Sequence, residues 1–132
     1  MKRGGVIHGQ LAAALAALRH TDVIVISDSG LPVPVSGPDV VDLGVVYGVP
    51  SFETVLRAVL EEIVVEASLV ASEIREANAS CWGLLQSLLE AAPPLLIPHE
   101  DFKRQVATAR CVVRTGEATP YANVLLRCGV PF

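Results

Sequence analysis

Val23-Ile24-Val25-Ile26-Ser27-Asp28-Ser29-Gly30 is the stretch on which the fold turns. Four β-branched residues in a row carry no polar/apolar alternation, so both faces of the strand they form have to be covered. That is the habit of strands inside parallel sheets sandwiched between helices. Ser-Asp-Ser-Gly then stops the run with turn-forming residues. To its N-terminal side, Gly9 to Leu18 is rich in Ala and Leu and predicts a helix, and Val6-Ile7 reads as a short strand. To its C-terminal side, three prolines and a glycine between Leu31 and Pro38 predict an irregular loop. Val40 to Val49 reads as partly extended. Ser51 is a good N-cap for a helix reaching about Glu62, with Glu53 in its positive first turn. Further on, a strand is expected from Ile63 to about Ala71, a helix from Ser80 to Glu90, a short strand from Leu95 to Ile97 and a helix from Glu100 to Ala109. Cys111 to Arg114 and Ala122 to Cys128 are the last two strands. Helices alternating with strands predict an α/β fold in three layers, a largely parallel sheet flanked by helices. With 132 residues and no linker or repeat, the chain is expected to be one domain, 1–132.

Composition narrows the partners. The 52% hydrophobic content rises to about 58% when glycine is counted and tyrosine is not, against a usual ~45–50% for soluble domains. A domain this small cannot hide that much apolar surface alone, and the tail Val130-Pro131-Phe132 is apolar to its last residue, so a homo-oligomer is expected. A net charge of −4 with no Lys/Arg cluster argues against nucleic acid. A mean hydropathy of +0.51 argues against disorder. No uncharged apolar run approaches the ~20 residues of a membrane span, so no membrane partner is expected. Lys2-Arg3 followed by Leu11 to Leu18 imitates a signal peptide, but Gly4, Gly5, His8, Gly9 and Gln10 interrupt the apolar region, and an ordinary amphipathic first helix is expected. Cys81, Cys111 and Cys128 are odd in number, far apart and in apolar settings, which fits buried thiols in a reducing cytoplasm.

No dinucleotide fingerprint, phosphate loop, nucleophile elbow or zinc-protease motif is present. His8, His20 and His99 have no ligand spacing with one another or with the cysteines, so no metal is expected. What remains are polar groups at element ends. Asp28 stands at the carboxyl end of its strand, where open α/β sheets bind ligands, although a turn aspartate would serve Ser29-Gly30 equally. A surface loop would hold His20 as readily as a catalytic site. His99 and Lys103 could belong to a solvated helix, and Tyr121 to a turn. Singly, none of them compels a function.

Together they resemble the D-ribose pyranase family. The resemblance rests on His20-Thr21-Asp22, on Ser27-Asp28-Ser29-Gly30-Leu31-Pro32-Val33-Pro34, on Gly48-Val49-Pro50-Ser51-Phe52 and on Val65-Glu66-Ala67. It continues through His99-Glu100-Asp101-Phe102-Lys103 and Arg114-Thr115-Gly116-Glu117, then Pro120-Tyr121-Ala122-Asn123 and the tail Gly129-Val130-Pro131-Phe132. The blocks are collinear and span almost the whole chain. The resemblance implies a cytoplasmic isomerase acting on D-ribose, interconverting the pyranose and furanose rings of its β anomer. It also implies no cofactor and a ring-like homo-oligomer, often a decamer. The family's catalytic histidine falls on His20, and its substrate-binding positions on Asp28, His99, Tyr121, Ala122 and Asn123, with Lys103 matching a lysine near the site. Arg19 stands where relatives carry Gly, Ser29 where many have Ala, and Ala118 where Cys or Ser is frequent. Asn78 to Leu96 matches only in helical character.

The chemistry is modest. One group takes the anomeric hydroxyl proton while another donates to the ring oxygen, work suited to histidine, whose ordinary pKa of ~6.5 lies near neutrality. A fucose-mutarotase-like enzyme and a non-catalytic sugar-binding accessory of a transport system are the alternatives. The Leu31-to-Pro34 loop favours the first reading over the mutarotase, and His20 favours an enzyme over a binder. Geometry adds a complication. At ~3.3 Å per residue an extended segment puts the His20 and Asp28 backbones roughly 20–25 Å apart. One ribose could not touch both in the same chain, so active sites between subunits are expected.

Overall fold

The computed structural model describes residues 1–132. Six strands form one sheet: β1 (Val23–Ser27), β2 (Asp39–Asp42), β3 (Val65–Ala71), β4 (Pro94–Ile97), β5 (Cys111–Arg114) and β6 (Val124–Cys128). The helices are α1 (Gly9–Ala16), α2 (Phe52–Leu60), the four-residue α3 (Ile74–Ala77), α4 (Ala79–Leu88) and α5 (His99–Val106). Strand order is β2-β5-β1-β6-β3-β4. β6 runs antiparallel to both its neighbours, β1 and β3, and the other pairings are parallel. Five strands therefore share one direction, as expected, with a single reversed strand in the middle of the sheet.

The three layers follow from β1. Ile24 and Ile26 are fully buried on one face, in a cluster with Leu11, Leu15, Phe52, Leu56, Ile74 and Leu85 from α1 to α4. Val25 points the other way, into a smaller cluster with Phe102 and Val106 of α5. Double coverage is why the strand needs no polar face. In α2, Phe52, Val55, Leu56 and Val59 recur at helical spacing and are buried, while Ser51 Oγ accepts from Thr54 N–H at 3.2 Å.

Several boundaries differ from the sequence reading. Val6-Ile7 is not a strand: Val6 is buried and its N–H donates to Glu62 Oε1 at 2.9 Å, but no strand pairs with it. α1 stops at Ala16, and its N-cap is His8, whose Nδ1 accepts from Leu11 N–H. The extended stretch after Val40 ends at Asp42, before a turn-rich loop that holds a cis Val49-Pro50 bond. β3 starts at Val65 and β6 at Val124, later than expected, and α5 already includes His99. Gly116 anchors the loop: a Cβ there would lie 2.6 Å from the Val46 carbonyl oxygen. All three cysteines are free and buried. No helix is long and apolar enough to cross a membrane.

Candidate active site

Parallel strands end at a common edge. β1 delivers Asp28 there, and β4 leads through Pro98 into His99. The reversed β6 begins at that same edge, so the residues just before it, Tyr121 to Asn123, arrive from the opposite chain direction. Asp28, Pro32, His99, Tyr121 and Asn123 line a cleft of about 360 Å³, at the small end of the range for small-molecule sites.

Hydrogen bonds build the cleft before anything enters it. The Asp28 N–H donates to Asn123 Oδ1 at 2.9 Å, and Asn123 Nδ2 donates back to Asp28 Oδ2 at 2.8 Å. Only one orientation of the amide satisfies both partners. Asn123 is 1% exposed, so its side chain serves to hold Asp28. The other Asp28 oxygen, Oδ1, accepts from Gly30 N–H at 2.9 Å. His99 stands edge-on to Tyr121, with ring centroids 5.1 Å apart, and stacks on Phe102 at 6.4 Å. Its Nδ1 is buried without a hydrogen-bond partner, and its backbone N–H donates to both carboxylate oxygens of Glu73 at 3.1 Å. Tyr121 adopts φ +55°, a left-handed conformation that costs a non-glycine residue energy.

Two carboxylates that sequence reasoning did not select hold the rim. Glu117 accepts from the N–H groups of Phe52, Ala118 and Thr119, each at 3.1 Å, and its carbonyl accepts from Ser29 N–H at 2.9 Å. Burial opposes ionisation of Glu117, but these donors outweigh it and keep the carboxyl below its usual range. Glu73 is lowered chiefly by the His99 N–H and its own N–H. Neither has a sequence signature, because an acceptor for backbone N–H groups can stand at any spacing. Cys81, buried and facing the charges of Glu117, Asp28 and Glu53, has its thiol pushed up to about 12, which keeps it unreactive.

The remaining expected residues lie elsewhere. Ala122 is buried and does not line the cleft. Lys103 borders a neighbouring groove beyond Pro32 and pairs with Glu100 at 2.7 Å. His20 lies at the opposite edge of the sheet, before β1, in a cleft of about 450 Å³ with Arg19, Glu62 and the Val130-to-Phe132 tail. Its Nε2 is 3.1 Å from Glu66 Oε2. The two clefts have no residue in common.

A carboxylate, an imidazole and a phenol around a polar cleft at the strand ends define a small α/β protein of the kind that receives a small polar solute. Residues 1–131 match the RbsD / FucU transport protein family, and the chain belongs to that family. D-ribose pyranase 1 of Rubrobacter xylanophilus is 56% identical over 133 residues, and D-ribose pyranase of Streptomyces coelicolor is 54% identical over 132, each match covering the whole of both chains. The structure of Bacillus subtilis RbsD complexed with D-ribose superposes with a TM-score of 0.95 at 42% identity, again covering all of both chains.

Proposed function

We propose that this chain is a sugar isomerase that interconverts β-D-ribopyranose and β-D-ribofuranose. The observation that carries the reading is full-length identity of 56% and 54% with proteins named D-ribose pyranase. The chemistry follows from the two ring forms. A base takes the proton of the anomeric hydroxyl, the bond from C1 to the ring oxygen O5 breaks, and O5 takes up a proton, giving the open aldehyde. The O4 hydroxyl then adds to C1 and surrenders its proton, while the carbonyl oxygen gains one. No redox change or group transfer occurs, and a placed acid–base group supplies about 10²–10⁴-fold.

We assign the acid–base role to His20 and substrate binding to Asp28, His99, Lys103, Tyr121, Ala122 and Asn123. Asp28 accepts sugar hydroxyls, Tyr121 offers a ring face and a hydroxyl, and Ala122 acts through its backbone. Asn123 acts through Asp28, and Lys103 reaches the sugar from the neighbouring groove by leaving Glu100. The whole chain, 1–132, serves as one pyranase-like domain. It works in the cytoplasm as a ring-like homo-oligomer, with His20 of one copy completing the Asp28 cleft of the next. Three observations favour this arrangement: β1 separates His20 from Asp28, the two clefts share no residue, and large apolar side chains stand exposed, Tyr47 at 82% and Phe132 at 99%.

Complementation tests it. His20→Ala and Asp28→Ala proteins, each inactive, are mixed under conditions that allow subunit exchange, and ring interconversion is followed by saturation-transfer NMR of the ribose anomeric signals. Recovery of exchange is expected, since some interfaces then combine two unmutated halves. No recovery from verified mixed oligomers overturns the shared site. Ribose binding without any exchange by the wild type points instead to a sugar-binding accessory.

A further inference from the structure

At the His20 edge, one side chain in contact with His20 has no role so far. Glu66 Oε2 lies 3.1 Å from His20 Nε2, and Glu66 Oε1 is 2.8 Å from Arg127 Nε. The backbone explains how a strand residue comes to lie between these two. Pairing of β3 with β6 steps from Val65 opposite Cys128 to Ala67 opposite Arg127, so Glu66 is the extra residue of a β-bulge. A bulge breaks the regular alternation and re-aims one side chain. Here the re-aimed side chain bridges β6 and the turn before β1. The recipient turn is itself fixed: Thr21 N–H donates to the Cys128 carbonyl at 2.9 Å, and Cys128 N–H to the Asp22 carbonyl at 2.8 Å. Thr21 adopts φ +69°, a genuine outlier for a β-branched residue.

An ionised carboxylate only accepts hydrogen bonds, so the imidazole nitrogen facing it must carry hydrogen. In the neutral ring this leaves Nδ1 unprotonated and free. We propose that Glu66 is the positioning residue of the reaction. It holds His20 by Nε2–H, selects the tautomer whose Nδ1 exchanges protons with the sugar, and is itself held by Arg127. The inference rests on the reading of His20 as the acid–base group. Glu66 contacts Nε2, leaving Nδ1 to the sugar, and it does not line the Asp28 cleft, so ribose binding there is expected to be independent of it.

Three variants in the full-length assembly separate the possibilities. Glu66→Ala is expected to lower kcat by about 10–100-fold, the scale on which outer partners of metal-bound imidazoles act, with KM for ribose unchanged. Glu66→Gln, whose amide oxygen still accepts from Nε2–H, is expected to recover part of that loss. ¹⁵N spectra of the wild-type imidazole should show His20 with hydrogen on Nε2 in its neutral form, and a tautomer mixture in Glu66→Ala. Wild-type kcat in Glu66→Ala, alongside an inactive His20→Ala, overturns the role of Glu66 and leaves His20 standing. Wild-type exchange by His20→Ala overturns both. If Glu66→Ala fails to fold, the wild-type tautomer decides: hydrogen on Nδ1 refutes the proposal, and hydrogen on Nε2 with a kcat loss in Glu66→Gln sustains it.

Discussion

The two ends of β1 are built on different plans. At the carboxyl end, Asp28 is gripped by the Asn123 amide and the Gly30 N–H, Glu117 ties three backbone donors to the rim, and His99 hangs from Glu73. At the amino end, His20 has one side-chain partner and its own side chain is 53% exposed. A binding surface profits from such rigidity, because fixed polar groups do not have to be ordered when the ligand arrives. A proton-transfer group left half in water is unfinished: its hydrogen bonds are weak until something excludes solvent. The contrast is what the proposed shared site requires: a finished binding half at the carboxyl end and, at the amino end, a half left for a neighbouring copy to complete. Non-glycine backbone with positive φ occurs at one residue near each end, Thr21 and Tyr121, which is where stored strain is expected if both ends are functional.

The largest effect should come from the unfinished end. His20→Ala is expected to remove nearly all catalysed exchange, about 10²–10⁴-fold, with the oligomer and the ribose affinity of the Asp28 cleft retained. Saturation-transfer NMR and sedimentation check the two halves of that statement. A well-folded variant exchanging at the wild-type rate would remove the reason for treating the ends as two parts of one site.

A substitution at the finished end should instead register in stability and binding together. Asn123→Ala leaves the Asp28 N–H and one carboxylate oxygen without their partner in a partly buried place, a loss of about 1–3 kcal/mol. A lower urea midpoint and a raised KM are expected, with a smaller change in kcat than His20→Ala produces. A variant with unchanged midpoint and KM would mean that Asp28 does not depend on the amide.

How much of this was legible in the sequence depends on the range of the interactions. The Val23-to-Ile26 run announced a strand covered on both faces, because that property is written in consecutive residues. The reversal of β6 was not announced, since its residues suit either direction and only the pairing with β1 and β3 settles it. α3 is too short to show a period. Val6-Ile7 has the composition of a strand but no partner. Asp28 and Tyr121 could be placed at strand ends by counting. The supporting carboxylates could not: Glu73 reaches the His99 N–H and Glu117 the Phe52 N–H across long stretches of chain, and Glu66 depends on a bulge that no local pattern reveals.

The smallest expected effect belongs to the rim of the finished end and appears only in acid. Glu117 is held below the usual carboxylate value in the folded protein, against burial, by N–H donors it loses on unfolding. A depressed carboxyl binds its proton less readily when folded, so its contribution to stability is fully present above the unfolded value of 4.5 and disappears as pH falls through the lower folded value. Glu73 carries the same sign. The urea midpoint should therefore be insensitive to these two groups between pH 7 and pH 5 and decline below about 4.5. Glu117→Gln removes the charge and should flatten its share of that decline, at the cost of a lower midpoint at neutral pH. Because Glu117 grips the Phe52, Ala118 and Thr119 N–H groups beside the Asp28 cleft, acid that protonates it should also weaken ribose binding there. Titrating ribose affinity from pH 6 to pH 4 in the wild type and in Glu117→Gln checks this. Identical acid limbs in the two proteins would show that Glu117 does not hold the rim.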